Sequence, residues 1–441
     1  MGRGGEEPRS RSMSLAASSG MMAPTPANRM VSGLLDKLKS GPVRPKPHQR
    51  GDPNWKVLER YERAKGREPL QMTDFDIIRK LGTGSSASVY LVKLKTAAAA
   101  GAPTFALKIF HKNGFDRKNR VRRVLTEHSI LCGTDHPFVV TLYRTFNQNG
   151  SIGFLMEHCA HGDMYQILQR LPSGGYGGFP EAQARLYAAQ VVIALQYLHV
   201  QGYVYRDLKP ENVLVCGDGH VKLTDFDLSR QVEPPSMTMR RTDVSTGRAG
   251  VIGGSERGGA GPTGMRRMGK SLTPMPKSMS SGNLQLKFQE ELKREKDMRE
   301  SRKKLRSAKS SLKLVGIPRL RSTSFVGTDE YIAPEIIACR GYTSSVDWWS
   351  VGIFIYELVY GVTPFASKNR NECFKRIVEE EVSFPQDPIV SGACKDIIRK
   401  LLDKDASSRL GSTYGASEIK SHPFFEKIQW ALLRYNKRRE Q

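Results

Sequence analysis

Tyr205-Arg-Asp-Leu-Lys-Pro-Glu-Asn212, followed thirteen residues later by Asp225-Phe-Asp227, is the stretch that decides how this chain reads. Asp207, Lys209 and Asn212 crowd an acid, a base and an amide into one short loop. An amphipathic helical pattern, Glu181 to His199, precedes the loop, and an apolar strand pattern, His220 to Thr224, runs directly into Asp225. A solvated loop can hold any one of these sets by chance. Their order and spacing together form a specific signal.

Upstream, Phe75-Asp-Ile-Ile-Arg-Lys-Leu81 and Ser88-Val-Tyr-Leu-Val-Lys-Leu94 alternate as strands do, joined by Gly82-Thr-Gly84-Ser-Ser-Ala87. Glycine there lets backbone N–H groups close over phosphate oxygens, although a plain hairpin turn explains the segment about as well. The next strand, Phe105-Ala-Leu-Lys-Ile-Phe110, sets Lys108 among apolar neighbours. A snorkelling edge lysine is the bland alternative. Val121, Val124, Leu125, His128 and Leu131 recur at helical spacing, which puts Glu127 near the buried face of a helix. A buried lysine and a buried glutamate each cost several kcal/mol alone, and pairing offsets much of that.

With these residues in place, the chain resembles a eukaryotic protein kinase over residues 75–425. The resemblance implies an α+β, bilobal fold: a mainly β small lobe with one key helix (75–157) and a larger, mainly α lobe (158–425). It also implies ATP and Mg²⁺ as cofactors. By this resemblance Lys108 binds the α- and β-phosphates and pairs with Glu127. Asp207 accepts or orients the substrate hydroxyl, Lys209 neutralises the γ-phosphate, and Asn212 and Asp225 hold magnesium. The remaining ATP contacts fall on Leu81, Gly82, Thr83, Gly84, Ser85, Val89, Ala106, Met156, Glu157, Cys159 and Asp163. Catalysis of this kind is mainly positioning and charge stabilisation, and hard carboxylate and amide oxygens suit Mg²⁺. Ala333-Pro-Glu335 with Arg409, Asp347-Trp-Trp-Ser-Val-Gly352, and the stacked set Leu131, Leu142, Tyr205 and Phe226 resemble the family's scaffold.

Tyr205 in place of the usual histidine, Gly162-Asp163, and Phe325-Val-Gly-Thr-Asp-Glu-Tyr-Ile-Ala-Pro-Glu335 resemble the AGC group of serine/threonine kinases. Asp225-Phe-Asp227, with a long insert before Ser322-Thr-Ser-Phe-Val-Gly327, is similar to the plant-type subfamily VIII (phototropin and PINOID-like kinases) and to fungal flippase kinases. About 85 extra residues separate Asp225 from Glu335, and loops this long are usually disordered or functional. Ser324 is the expected activating phosphosite, its phosphate recruiting Arg206 to order the segment. One serine in a Ser-rich loop is the plain alternative. Arg319 and Arg321 precede it, so a basophilic kinase such as this chain itself is able to modify it; the expected activator is an upstream phosphoinositide-dependent-kinase-like enzyme or autophosphorylation. Thr328 is expected to contact the catalytic loop. Asp163, Glu211 and Glu357 match acidic positions that bind arginine upstream of the acceptor in basophilic relatives, so protein substrates with basic residues before Ser/Thr are expected. A buried structural partner on its helix is the alternative for Glu357.

Three departures qualify the resemblance. Ala87 replaces the phosphate loop's third glycine, and Asp227 replaces a glycine after Phe226. The sequence also reaches Gln441 soon after Trp430-Ala-Leu-Leu-Arg434, without the Phe-rich motif usual in the group. That motif is expected to come from a partner, to be dispensable, or to lie beyond the recorded chain. A pseudokinase scaffold is the rival for overall function, but Lys108, Asp207 and Asp225, whose loss usually marks one, are all present.

Composition bounds the rest. The chain has 441 residues, 39% hydrophobic, and no apolar run of the roughly 18 residues that a membrane span needs. Its six cysteines are scattered without metal-ligand spacing, which suits reduced thiols in a cytosolic or nuclear protein. The net charge is +25, of which about +7 falls on a tail expected to be disordered (1–72) and about +12 on a basic insert, also expected disordered (233–319). Residues 426–441 read as a short basic tail. An anionic membrane surface is the expected partner of the insert, giving a cytoplasmic protein held peripherally at the plasma membrane. Lys303-Lys304-Leu-Arg306 as a nuclear signal, and an exposed charged helix with no partner, are the alternatives. Phe288 stands alone among the charges, which argues against sequence-specific nucleic-acid binding.

Overall fold

Alternating apolar residues between Phe75 and Glu157 build one sheet, and long apolar helices after Cys159 build a second assembly. A computed structural model describes residues 38–43, 45–49, 51–84, 87–95, 102–111, 118–148, 151–171, 177–232, 238–241, 312–315 and 327–435. Ser85, Ser324 and most of the basic insert lie outside the described residues. The chain divides into two units, residues 1–135 with 140–158, and residues 136–139 with 159–441.

The first unit contains β1 (Gly41–Pro42), α1 (Pro53–Ala64), β2 (Phe75–Thr83), β3 (Ala87–Leu94), β4 (Thr104–His111), α2 (Lys118–Gly133), β5 (Leu142–Gln148) and β6 (Ser151–Glu157). Its six strands form one antiparallel sheet in the order β1-β5-β6-β4-β3-β2. Side chains alternate across a strand, so β4 turns Phe105, Leu107 and Ile109 one way and Ala106, Lys108 and Phe110 the other. The first set joins Trp55 and Leu58 of α1, with Phe75, Val92, Tyr143, Phe146 and Leu155, in one buried cluster.

That cluster corrects the expectation of a disordered tail through residue 72. Residues 38–72 contribute β1, α1 and the buried side chains of Leu38, Trp55, Leu58 and Leu70. The physical reason is local and strong. Asp52 caps α1 by accepting from Asn54 N at 2.9 Å, and Pro53 occupies the first turn, where its missing N–H costs nothing. Arg144 then donates to both carboxylate oxygens of Glu62, at 3.2 and 3.1 Å, fastening α1 to β5.

The second unit is mainly helical. It contains β7 (Gly162–Asp163), α3 (Met164–Arg170), α4 (Glu181–Val200), β8 (Tyr203–Val204), β9 (Val213–Val215), β10 (Val221–Leu223) and β11 (Arg230–Gln231). After a short ribbon of β12 (Thr238–Arg241) and β13 (Leu312–Val315) come α5 (Pro334–Ile337), α6 (Ser345–Tyr360), α7 (Arg370–Glu379), α8 (Gly392–Leu401) and α9 (Ala416–Lys420). Every residue of α6 is buried, so this helix is a central post rather than an amphipathic cover. Gly361, at φ 73°, supplies the left-handed residue that ends it. The ribbon pairs Thr238 with Val315 and Arg241 with Leu312. Within the region expected to be disordered, 233–319, residues 238–241 and 312–315 are therefore paired strands. The expected α+β class holds, a sheet with its helix followed by a mainly helical part. Among the described residues no helix is long and apolar enough to cross a membrane.

Candidate active site

In the first unit, cross-strand pairing gathers the expected nucleotide residues on one sheet face. Gly82 pairs with Val89, Val89 with Lys108, and Lys108 with Phe154. Ala106 pairs with Met156 two residues along, and Met156 with Leu142. Directly paired residues share a face, so Val89, Ala106, Lys108 and Met156 lie together, opposite the side that α1 covers. Leu81 falls where the β2–β3 register shifts between Lys80 and Gly82, Thr83 ends β2, and Gly84 N donates to Ala87 O at 2.9 Å, which closes the turn. The Lys108 ammonium donates to both oxygens of Glu127, at 2.7 and 2.9 Å. Glu127 is 1% exposed, and α2 delivers it to this face. Glu157 N donates to Thr141 O at 2.9 Å.

The second unit holds the acid, base and amide in one hydrogen-bonded set. Asn212 Nδ2 donates to Asp207 Oδ2 at 2.7 Å and to the Asp207 carbonyl at 2.8 Å. Lys209 Nζ stands 3.3 Å from Asp207 Oδ2 and donates to Thr328 Oγ1 at 2.8 Å. Thr328 Oγ1 donates in turn to Asp207 Oδ1 at 3.5 Å. Thr328 therefore touches both Lys209 and Asp207. Thr224 N donates to Asn212 O at 3.1 Å, which fixes Asp225, in the left-handed region at φ 56°, beside Asn212 along the backbone.

Asp347 of α6 supports this loop from beneath, fully buried, accepting from Tyr205 N at 2.9 Å and Arg206 N at 2.8 Å. His199 Nε2 lies 2.7 Å from Asp347 Oδ2, the oxygen that also accepts from Tyr205 N, and is a partner that sequence reading did not identify. Separations of 141 to 148 residues leave no local signal for these contacts. Arg206, at φ 69°, donates through Nε to Leu228 O and through Nη1 to the Tyr342 hydroxyl, both at 2.8 Å. Tyr342 was also missed. Tyr205 is fully buried, and burial first, then the charges of Asp207 and Asp225, pushes its phenol well above the usual tyrosine range. It stays a donor, bonded to the Thr224 carbonyl, and its ring meets Phe226 edge-on at 5.4 Å.

The remaining expected residues are placed separately. Asp163 caps α3, accepting from Gln166 N at 2.8 Å and Gln166 Nε2 at 2.6 Å. Glu211 is exposed. Glu357 is buried and accepts from the Tyr331 hydroxyl, and burial pushes its carboxyl up to about 7. Glu211 and Glu330 push the same way, while the Tyr331 bond opposes them. Cys159 is buried with its sulfur 3.2 Å from that of Cys216.

The donor set suits magnesium. With its NH₂ group committed to Asp207, Asn212 presents its amide oxygen as the hard donor, next along the backbone to the Asp225 carboxylate. Among the described residues no group of three or more His, Cys, Asp or Glu could hold a metal. One carboxylate and one amide oxygen, completed by phosphate and water oxygens, is how this ion is commonly held.

The model of the protein kinase domain family matches residues 75–247 and 304–425. The serine/threonine-protein kinase nrc-2 of Neurospora crassa is 39% identical over 369 residues, covering 82% of this chain and 49% of that protein. The serine/threonine-protein kinase AGC1-7 of Arabidopsis thaliana is 38% identical over 412 residues, 91% of this chain and 68% of its own. Flippase kinase 1 of Saccharomyces cerevisiae is 38% identical over 360 residues, 82% and 33% respectively. The chain thus spans from 33% to 68% of the length of these relatives.

Proposed function

The chain belongs to the protein kinase domain family, and from that premise we propose that it transfers the γ-phosphate of ATP to serine or threonine of protein substrates. The observation that carries this reading is the closed set of Asp207, Asn212, Lys209 and Thr328. Asp207 is held by an amide and a lysine so that its carboxylate can orient a substrate hydroxyl and accept its proton. Lys209 brings positive charge to the same spot, where charge develops as the phosphoryl group moves. Asn212 and Asp225 would hold magnesium, which supplies charge neutralisation to the phosphates when bound. Lys108, oriented by Glu127, serves the α- and β-phosphates, and Val89, Ala106 and Met156 offer the adenine an apolar face.

The finer features belong to the same proposal. Asp163, Glu211 and Glu357 favour substrates with arginine upstream of the acceptor, and their match to the acidic positions of basophilic relatives supports this. Phosphorylation of Ser324, by a phosphoinositide-dependent-kinase-like enzyme or by the chain itself, orders the activation segment. The basic insert tethers the protein to anionic membrane, and imaging a variant lacking residues 240–315 tests this, since unchanged peripheral localisation would sink the tether. Transfer of labelled phosphate to a basic peptide, wild type against Asp207→Asn, tests the core reading. A loss of at least a hundredfold is expected; equal signals would remove the enzyme.

A further inference from the structure

The helix that presents Glu127 ends under a cation it does not itself supply. α2 has no basic residue in its last turn. The final carbonyls of a helix lack intrahelical donors and carry partial negative charge. Here the carbonyls of Leu131 and Thr134 both accept from the Lys46 ammonium, the first at 3.3 Å. Leu131 lies four residues beyond Glu127, one turn along the same helix face.

Lys46 comes from a strap that precedes the family's domain, which begins at residue 75. The strap is fastened on both sides of Lys46. On one side β1 pairs with β5, Val43 N donates to Tyr143 O at 3.0 Å, and Ser40 Oγ accepts from Asn147 N at 2.7 Å. On the other, His48 pairs with Asp135, just beyond the helix end. Burial lowers the pKa of the Lys46 ammonium, with Cys132 partly opposing it.

We propose that Lys46 is a positioning residue for phosphoryl transfer, closing the C-terminal end of α2 and so holding Glu127 in register with Lys108. This rests on the kinase reading above. The helix is stiff over one turn, so movement of its last carbonyls is carried to Glu127, and a misplacement of about 1 Å can cost about a hundredfold in rate. His128 Nε2, 3.0 Å from Thr145 Oγ1, is a second tie on the same helix. Loss of Lys46 alone is therefore partial.

The test uses the full chain and the variants Lys46→Met and Lys46→Arg. For Lys46→Met, kcat/KM for ATP should fall about tenfold for the folded fraction, with the KM for a basic peptide unchanged. Lys46→Arg, which keeps a cationic donor, should return to within about threefold of wild type. Amide exchange in Lys46→Met should quicken at residues 130–135 while α1 stays as in wild type. Wild-type kinetics in Lys46→Met, or exchange rising equally in α1 and α2, would overturn the proposal. If the wild-type chain transfers no phosphate, the kinase reading has failed instead, and exchange still reports whether Lys46 holds the end of α2.

Discussion

A cation–glutamate pair in each unit involves a buried glutamate, and the two pairs are built for different ends. In the second unit Arg409 donates to both oxygens of Glu335, at 2.7 and 2.9 Å, and also to the carbonyls of Ser345 and Asp403, each at 3.1 Å. It is fully buried, with its guanidinium over the Trp349 ring. The planar fork of the arginine is held there by four protein acceptors, away from solvent. In the first unit Lys108 meets Glu127 with a compact ammonium and keeps 12% of its side chain exposed, on the sheet face shared with Val89 and Met156. One pair is a structural joint. The other is a positioned charge at a surface.

Breaking each pair from the cation side separates these roles. Arg409→Met strands the buried Glu335 carboxylate and should cost about 3–5 kcal/mol of stability. A urea titration reads it, and activity should fall only as the folded fraction falls. Lys108→Met should lower kcat/KM by a hundredfold or more, while the urea midpoint moves far less than for Arg409→Met. If both variants lose stability alike, or if Lys108→Met keeps its turnover, the contrast between joint and positioned charge collapses.

The two pairs were also unequally legible. Lys108 and Glu127 announce themselves because a charged residue interrupts a strand period and a helix period whose neighbours are apolar. The catalytic loop is legible because its chemistry is packed into eight residues, Tyr205 to Asn212. Asp347 could be assigned as an anchor, but its grip on His199 and on the Tyr205 and Arg206 amides is a product of the fold. The first seventy residues misled for a different reason. Their Pro, Gly, Ser and Arg content hides a short folded stretch, although Asp52-Pro53 followed by Trp55, Leu58 and Tyr61 is a capped helix with apolar residues at helical spacing. Ser324 and most of the basic insert lie outside the described residues.

A third buried glutamate sharpens the comparison, because the bond found for Glu357 is to a phenol rather than a cation. Its carboxyl is pushed up to about 7, against an ordinary value of 4.5. Between those two values the unfolded chain releases the proton and the folded chain keeps it, so stability falls as pH rises through that window. Glu357→Gln removes the dependence. Its stability relative to wild type should therefore improve from pH 5 to pH 8, by an amount on the order of 2 kcal/mol. Parallel stability curves across that range would show that burial is not governing the group. In transfer assays the same variant should raise the KM for peptides with upstream arginine, if a substrate cation is what the carboxylate meets in use.

The smallest effect is expected where the strap acts as scaffold rather than as aligner. Asp52 caps α1 and also accepts from the Tyr143 hydroxyl at 2.6 Å, while Asn54 Nδ2 donates to that hydroxyl at 3.0 Å. Burial foremost, with Glu157 and Asp52 adding to it, keeps the Tyr143 phenol protonated far above its usual range, so removing the acceptor leaves a buried donor unmatched. Asp52→Ala should cost about 1–2 kcal/mol, and Asp52→Asn, which keeps a capping oxygen, about half of that. Neither touches the end of α2. Turnover per folded molecule should hold at the wild-type value in both, unlike Lys46→Met, whose loss is expected in the rate. Should Asp52→Ala instead slow the folded enzyme, α1 as well as Lys46 would be setting the position of Glu127, and the strap would act as one piece with the helix it binds.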